Sequence, residues 1–252
     1  MNTHPPTRTQ AERADLARAR ILDAAVRQFS EYGLAGARTE QIAEAAGVNK
    51  ALLYYYFHSK DALYTAALDA VAEDVRAASL AVLESNKSAG ERFLQSVLNH
   101  FDRFHTNPGV QNLIQQEMVR LHRGEANNLS PLVEKVFRPL MERTQLVLDE
   151  GIASGELIPV DPSQIRYAAL GANVFYFLSA PLMQMVHGVD LFEQRALELR
   201  RKSAIQYLGQ TLFVDRKHGA RIAARVLRST PMPPNSGTRP KAPDFTHAKK
   251  MK

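Results

Sequence analysis

"GVNKALLYYYFHSK", residues 47–60, sets three adjacent tyrosines between two apolar positions, Leu53 and Phe57. Helical spacing decides how the stretch reads. Side chains four apart share a face, so Leu53 and Phe57 turn together towards one core. Three consecutive rings cannot all follow them. Leu52 and Tyr56 fall on the adjoining face. The pairs Lys50/Tyr54 and Ala51/Tyr55 fall mainly outward. Gly47 breaks whatever precedes, and Asn49 supplies an N-cap for a short helix carrying the rings.

Working outward, Ile21, Leu22, Ala25, Val26 and Phe29 form an apolar stripe at helical spacing, with Gly33 placed for its C-cap. Thr39 is an N-cap candidate, with Glu40 and Gln41 in the first turn and Ile42, Ala45 and Ala46 as an apolar face. Three short helices with a Gly-containing turn between the second and third make a helix-turn-helix pattern. The second helix, 40–46, would cross a phosphate backbone, and the third, 49–56, would enter a major groove. An outward phenol there offers a hydroxyl to phosphate oxygens, and Lys60 offers a charge. Such contacts fix register. Ala51 and the Tyr55 ring suit a thymine methyl.

Further helical segments cover 60–83, 89–105, 110–122 and a long stretch opened by Ser130-Pro131 that runs past Val133, Phe137 and Val147 to Ile152. A helix follows over 162–180, free of charged residues from Tyr167 onward, which Pro181 would kink or end. The last helix covers 190–213. The expected fold is all-α: a three-helix helix-turn-helix domain followed by a second helical domain, about nine helices in all. The boundaries are a flexible arm over 1–14, a DNA-binding domain over 15–77 with its helix-turn-helix at 39–58, a second domain over 78–214, and a basic, disordered tail over 215–252, within which RIAARVLRS has room for a basic helical turn or two.

Charge supports a local reading of the DNA face. The chain of 252 residues carries +6 overall. Residues 1–60 hold 8 basic and 6 acidic side chains, and residues 215–252 hold 10 and 2. The high pI therefore comes mostly from the tail, which either adds non-specific DNA affinity or is solvated. The chain has no cysteine, which excludes thiolate metal sites and cysteine nucleophiles. His100, His105 and His122 are too scattered for a metal site. No phosphate loop or catalytic motif is present. No secretory signal is visible, and the segment from Tyr167 to Val189 reads as a buried helix. These features fit a cytoplasmic protein that is not an enzyme and needs neither cofactor nor metal. The alternative is an all-α interaction module, or a helical-bundle enzyme, that does not bind DNA.

"RILDAAVRQFSEYGLAGART" and "EQIAEAAGVNKALLYYYFHSKDALY" resemble the DNA-binding domain of TetR-family transcriptional regulators, over residues 17–64. The resemblance implies roles by position. Thr39 would contact phosphate, Lys50 and Ala51 would face base edges or backbone, and Tyr54 would hold a phosphate. Tyr55 would lie at the groove wall, and Lys60 would hold another phosphate. Glu40, Asn49, Leu52 and Tyr56 complete the candidate set. Leu52 departs from the family's usual serine or threonine and cannot make that polar contact. Glu40 would repel phosphate unless it reads a cytosine amino group or points away.

The same resemblance implies a homodimer on a palindromic operator, most often as a repressor released by a small-molecule effector. Ala168, Gly171 and Ala172 are small enough for close helix approach at the dimer interface, with Ile205, Leu208 and Leu212 facing it. Effector-lining candidates are Phe101, Phe104, Gln116 and Arg120 on the middle helices, with Phe137, Tyr167, Asn173 and Tyr176.

Overall fold

The computed structural model describes residues 9–125 and 132–234. In chain order the helices are α1 (Gln10–Gly36), α2 (Thr39–Ala45), α3 (Lys50–Phe57), α4 (Lys60–Leu83), α5 (Ala89–Thr106) and α6 (Pro108–His122). A π-helical turn (Val133–Phe137) follows, then α7 (Arg138–Ala153), α8 (Pro162–His187), α9 (Gln194–Thr211) and α10 (Arg216–Ser229). The chain divides into two compact units. The first comprises residues 1–76 and 109–138, the second 77–108 and 139–252. The expected boundary at 77 thus omits one association: α6 and the π turn belong with the N-terminal helices.

In the first unit, Ile21, Ala24, Ala25 and Phe29 of α1 bury with Ile42 and Ala43 of α2 and Leu53 and Phe57 of α3. Leu63, Tyr64, Ala67 and Leu68 of α4 are buried too. Helix α1 begins earlier than expected, because Thr9 and Glu12 form a reciprocal capping box that orders part of the arm. Residues 1–8 of the arm lie outside the described residues. Gly33 interrupts α1 at φ 68°, and one further turn runs to Gly36. Asn49 caps α3, its Oδ1 accepting from the Leu52 amide at 2.7 Å. Ser59 does the same for α4, accepting from Ala62 N–H at 3.0 Å.

Helix α6 docks onto this unit through polar contacts. The Tyr64 hydroxyl donates to Glu117 Oε1 at 2.6 Å. Arg120 Nη1 donates to the same oxygen at 2.7 Å. The Tyr64 ring meets the Phe29 ring edge-on at 4.9 Å between centroids. Burial first, then the Glu117 carboxylate, raises the Tyr64 hydroxyl well above the ordinary phenol range. It therefore stays a protonated donor.

The second unit is built on α5. Phe93, Leu94, Val97 and Leu98 pack with Val147 and Leu148 of α7, Ile165 and Ala169 of α8, and Ile205 and Leu208 of α9. Helix α10 completes this core with Ile222, Ala223 and Val226. The tail is therefore helical from Arg216 to Ser229, a correction to the expected disorder from 215; residues 235–252 lie outside the described residues. Arg201 makes a buried bidentate pair with Asp102, at 2.7 and 2.8 Å, and also donates to Thr230 O just past α10. Two further corrections concern proline and register. Helix α8 runs through Pro181 to His187 and closes at Gly188, which adopts φ 68°. The expected helix 190–213 spans only Gln194–Thr211.

Helix α10 reaches its seat because two glycines meet. A Cβ on Gly219 would lie 1.9 Å from Gly209 O and 2.6 Å from the Phe213 ring. Gly219→Ala is therefore expected to lift α10 and cost about 2 kcal/mol or more in urea unfolding, as overpacking does. Unchanged stability would contradict this packing.

Candidate nucleic-acid interface

Helix α3 presents two unlike sides. Leu53 and Phe57 are buried, whereas the Tyr55 ring is 73% exposed. Lys50, Ala51 and Asn49 are exposed; Leu52, Tyr54 and Tyr56 are half-buried. Tyr55 and Tyr56 meet edge-on at 5.4 Å, and Tyr56 leans on Phe57 at 6.5 Å. The three rings thus divide their work. Tyr56 shields the small core, Tyr54 lies along the flank, and Tyr55 stands free.

The flank contacts run from α2 to α3. Thr39 was expected to cap α2, but that position belongs to Arg38, whose side chain makes no capping bond. Thr39 is buried instead, its hydroxyl 3.2 Å from the Tyr54 hydroxyl. Two adjacent hydroxyls, each able to donate or accept, form one polar pair spanning the two helices. Beside them Lys50 pairs with Glu40, both exposed. The Lys50 ammonium also sits 5.8 Å from the centre of the Tyr54 ring. The hydrogen bond from Lys50 holds the Glu40 carboxyl below its usual range, and Glu40 holds Lys50 above its own. Glu40 therefore neither points away nor stands unpaired: it partly neutralises the one lysine on α3. Lys60 donates to Ala35 O at 3.2 Å, which ties the start of α4 to the end of α1. Arg38, exposed at the start of α2, joins this surface. Sequence reasoning passed over it, although a cation beside Thr39 was a readable signal.

The candidate effector residues are divided between the two units. Gln116, Arg120 and Phe137 belong to the first unit; Phe101, Phe104, Tyr167, Asn173 and Tyr176 belong to the second. Gln116 Nε2 approaches Ser30 O at 3.5 Å, and Arg120 is paired with Glu117 and Glu125. In the second unit α5 and α8 share an aromatic seam, in which Phe101 and Phe104 contact Phe177. Asn173 is buried, donating to Val97 O at 3.1 Å and lying 3.4 Å from His100 Nδ1. Burial, with Arg103 nearby, lowers the His100 pKa to about 4, so the ring is neutral at pH 7. The Tyr176 hydroxyl donates to Leu191 O. Tyr167 is exposed, with the Arg166 guanidinium 5.8 Å from its ring centre.

The candidate dimer residues separate in the same way. Ile205 and Leu208 are buried inside the second unit, and Leu212 packs against that core, a correction to their assignment at an interface. The amphipathic helices there need one face for their own core, and these side chains lie on it. Ala168, Gly171 and Ala172 are exposed, with open space around Gly171. They stand on a side of α8 that also exposes Phe175, Leu178, Leu182 and Met185. Helix α8 is thus buried on one face only. Among the described residues it is the helix long and apolar enough, by length and composition, to cross a membrane. No group of His, Cys, Asp and Glu side chains suited to a metal occurs among the described residues.

Comparison with known proteins agrees with this geometry. The pattern described as "Bacterial regulatory proteins, tetR family" matches residues 21–67, and "Tetracyclin repressor-like, C-terminal domain" matches residues 91–208. The chain is 49% identical over 160 residues to the HTH-type transcriptional regulatory protein RaaS of Mycobacterium tuberculosis, covering 62% of this chain and 68% of that protein. It is 29% identical over 174 residues to the HTH-type transcriptional regulator RutR of Escherichia coli K12, covering 69% and 80%. A transcriptional regulator from Saccharomonospora viridis, solved in complex with choline, shares the fold at a TM-score of 0.64 and 16% identity, over 79% of this chain and 98% of that one. The chain belongs to the TetR family of DNA-binding transcriptional regulators.

Proposed function

We propose that this regulator acts as a homodimer, holds a palindromic operator through two copies of α3, and represses transcription until a small-molecule effector releases it. The observation that carries the DNA reading is the exposed Tyr55 ring beside Lys50 and Ala51 on a helix whose opposite side is sealed by Leu53 and Phe57. A two-turn helix makes few base contacts, so a second copy on a symmetric site supplies the rest of the affinity.

The dimer reading rests on α8. Ala168, Gly171, Phe175, Leu178, Leu182 and Met185 follow one another at alternating steps of three and four, and all are exposed. That is the spacing of a helix–helix seam. The contiguous apolar surface, with Phe175 at 67% and Leu178 at 62% exposure, exceeds the scattered apolar side chains of an ordinary monomer surface. On α9, Leu199 and Tyr207 are exposed as well. Effector binding is supported by the family membership and by the choline held by a regulator of the same fold. A DNA partner supports a cytoplasmic location.

On α3 and its neighbours, Tyr54, Lys60 and Arg38 serve as phosphate contacts, and Lys50, Ala51 and Tyr55 face the groove. Asn49 and Thr39 hold α3 in place, and Leu52 packs rather than reads. Glu40 restrains Lys50 in the free protein.

Three outcomes are expected. Selection from a random duplex pool should enrich a palindrome bound by two chains, and Tyr54→Phe with Lys60→Ala should weaken all bound sequences alike; enrichment of no symmetric site would refute the reading. Glu40→Gln should free Lys50 for one more phosphate, steepening the slope of log affinity against log salt by about 0.9. An unchanged slope would mean that Lys50 does not reach the backbone. Leu178→Glu should convert the dimer to a monomer in sedimentation equilibrium, and a dimer that persists would remove α8 from the interface.

A further inference from the structure

Helix α10 carries a row of cations on the side away from its core. Lys217, Arg221, Arg225 and Arg228 follow one another at steps of four, four and three, and all are exposed. That spacing puts them on one side of the helix. Successive members stand about 6 Å or less apart along the axis, in a row about 17 Å long. Gly219, Ile222, Ala223 and Val226 are buried on the opposite side.

Two carboxylates stand near the row, and neither neutralises it. Asp215 serves as the N-cap, accepting from the Lys217 and His218 amides. Glu91 pairs with Arg225 at 3.0 Å, but Lys87 shares it at 3.3 Å.

Local rules oppose this arrangement. Like charges four apart on a helix repel one another. Arg216 and Lys217 also stand in the first turn, where the helix dipole disfavours positive charge. A pattern that breaks local rules in this way is the kind found at functional sites. The helix is nevertheless held firmly. Gly219 lies against Gly209, and Arg201 donates to Thr230 O at 2.8 Å just past the last turn. The row is thus ordered before any partner arrives, which lowers the cost of binding.

Its chemistry narrows the partner. A single small anion reaches two members of the row at most, so the match is a molecule with repeated charge. A protein partner would want an aromatic or aliphatic anchor. Between the cations stand only small side chains, such as Ala220 and Ala224. A bilayer surface would want an apolar helix face to bury. Helix α10 spends its apolar face on its own core. A DNA duplex asks for neither, offers one charge per about 1.7 Å of axis, and suits the bidentate grip of guanidinium on phosphate.

We propose that this row is a second, sequence-independent site for the phosphate backbone of double-stranded DNA, made by residues other than those of α3. The matched family patterns end at residue 208, so family membership says nothing of it. The proposal adds to the regulator reading and does not rest on the operator.

The test follows binding of the full chain to a duplex of arbitrary sequence by fluorescence anisotropy across a range of salt. Arg221→Gln with Arg228→Gln should lower the slope of log affinity against log salt by about 1.8, two phosphates at about 0.9 each, and weaken binding at low salt at least about tenfold. Arg221→Lys with Arg228→Lys keeps the charge and should keep the slope. Arg195→Gln with Lys202→Gln removes two exposed cations of α9 and should leave the slope unchanged. In a Lys60→Ala background the loss on changing Arg221 and Arg228 to glutamine should be the same. An unchanged slope in the glutamine pair, an equal loss from the α9 pair, or a loss that vanishes in the Lys60→Ala background would each overturn the proposal. So would binding to phosphatidylserine-rich vesicles that the glutamine pair abolishes, which would assign the row to a lipid surface. A chain that selects no palindrome refutes the operator reading alone and leaves this measurement standing.

Discussion

Two side chains four residues apart, Leu53 and Phe57, hold α3 in place. A helix of eight residues has too few hydrogen bonds to persist alone in water. Its orientation comes from burying this pair against α1 and α2, and from the Asn49 cap that satisfies its first turn. Because both large apolar groups sit on one edge, every other ring of the stretch is displaced from the core. The open face of α3 is therefore a geometric consequence of the closed one. A shift of this register by one residue would turn Tyr54 inward and expose Leu53.

The same economy governs the polar surface. Thr39 and Tyr54 satisfy one another, Lys50 and Glu40 satisfy one another, and Lys60 rests on a backbone carbonyl. Tyr54, Lys50 and Lys60 thus each have a modest internal partner in the free protein. Exchanging these for phosphate costs little, since exposed ion pairs and hydroxyl pairs are weak. Behind this surface, α6 joins the N-terminal unit through the buried Tyr64–Glu117 bond, so a helix from the middle of the chain shares a packing unit with the DNA-facing helices.

What could be read from sequence was what depends on local spacing. The Leu53/Phe57 face, the Asn49 and Ser59 caps and the break at Gly33 all follow from residue type and period. The readings that failed depend on which neighbour arrives. Thr39 has cap chemistry, but Tyr54 takes its hydroxyl. Ile205 and Leu208 are apolar at helical spacing, yet nothing local says whether an apolar face meets its own core or a second copy. The exposed seam of α8 was legible in the three-and-four spacing from Ala168 to Met185, and attention to small residues alone missed all but its first members. Helix α10 lies in a stretch whose basic composition reads as a disordered tail. It docks because Gly209 and Gly219 let two backbones touch, a pairing of distant residues that no local pattern reveals. The π turn likewise has no sequence signature here.

The division between sealed and open rings is the claim on which the DNA face stands, and fluorotyrosine labelling with 19F NMR tests it directly. In the free protein the resonance of Tyr55 should respond to a paramagnetic agent in solvent, and that of Tyr64, 1% exposed, should not. On adding the selected palindrome, Tyr54 and Tyr55 should shift and lose solvent contact. A Tyr55 signal that is silent to the agent, or indifferent to the duplex, would contradict the account.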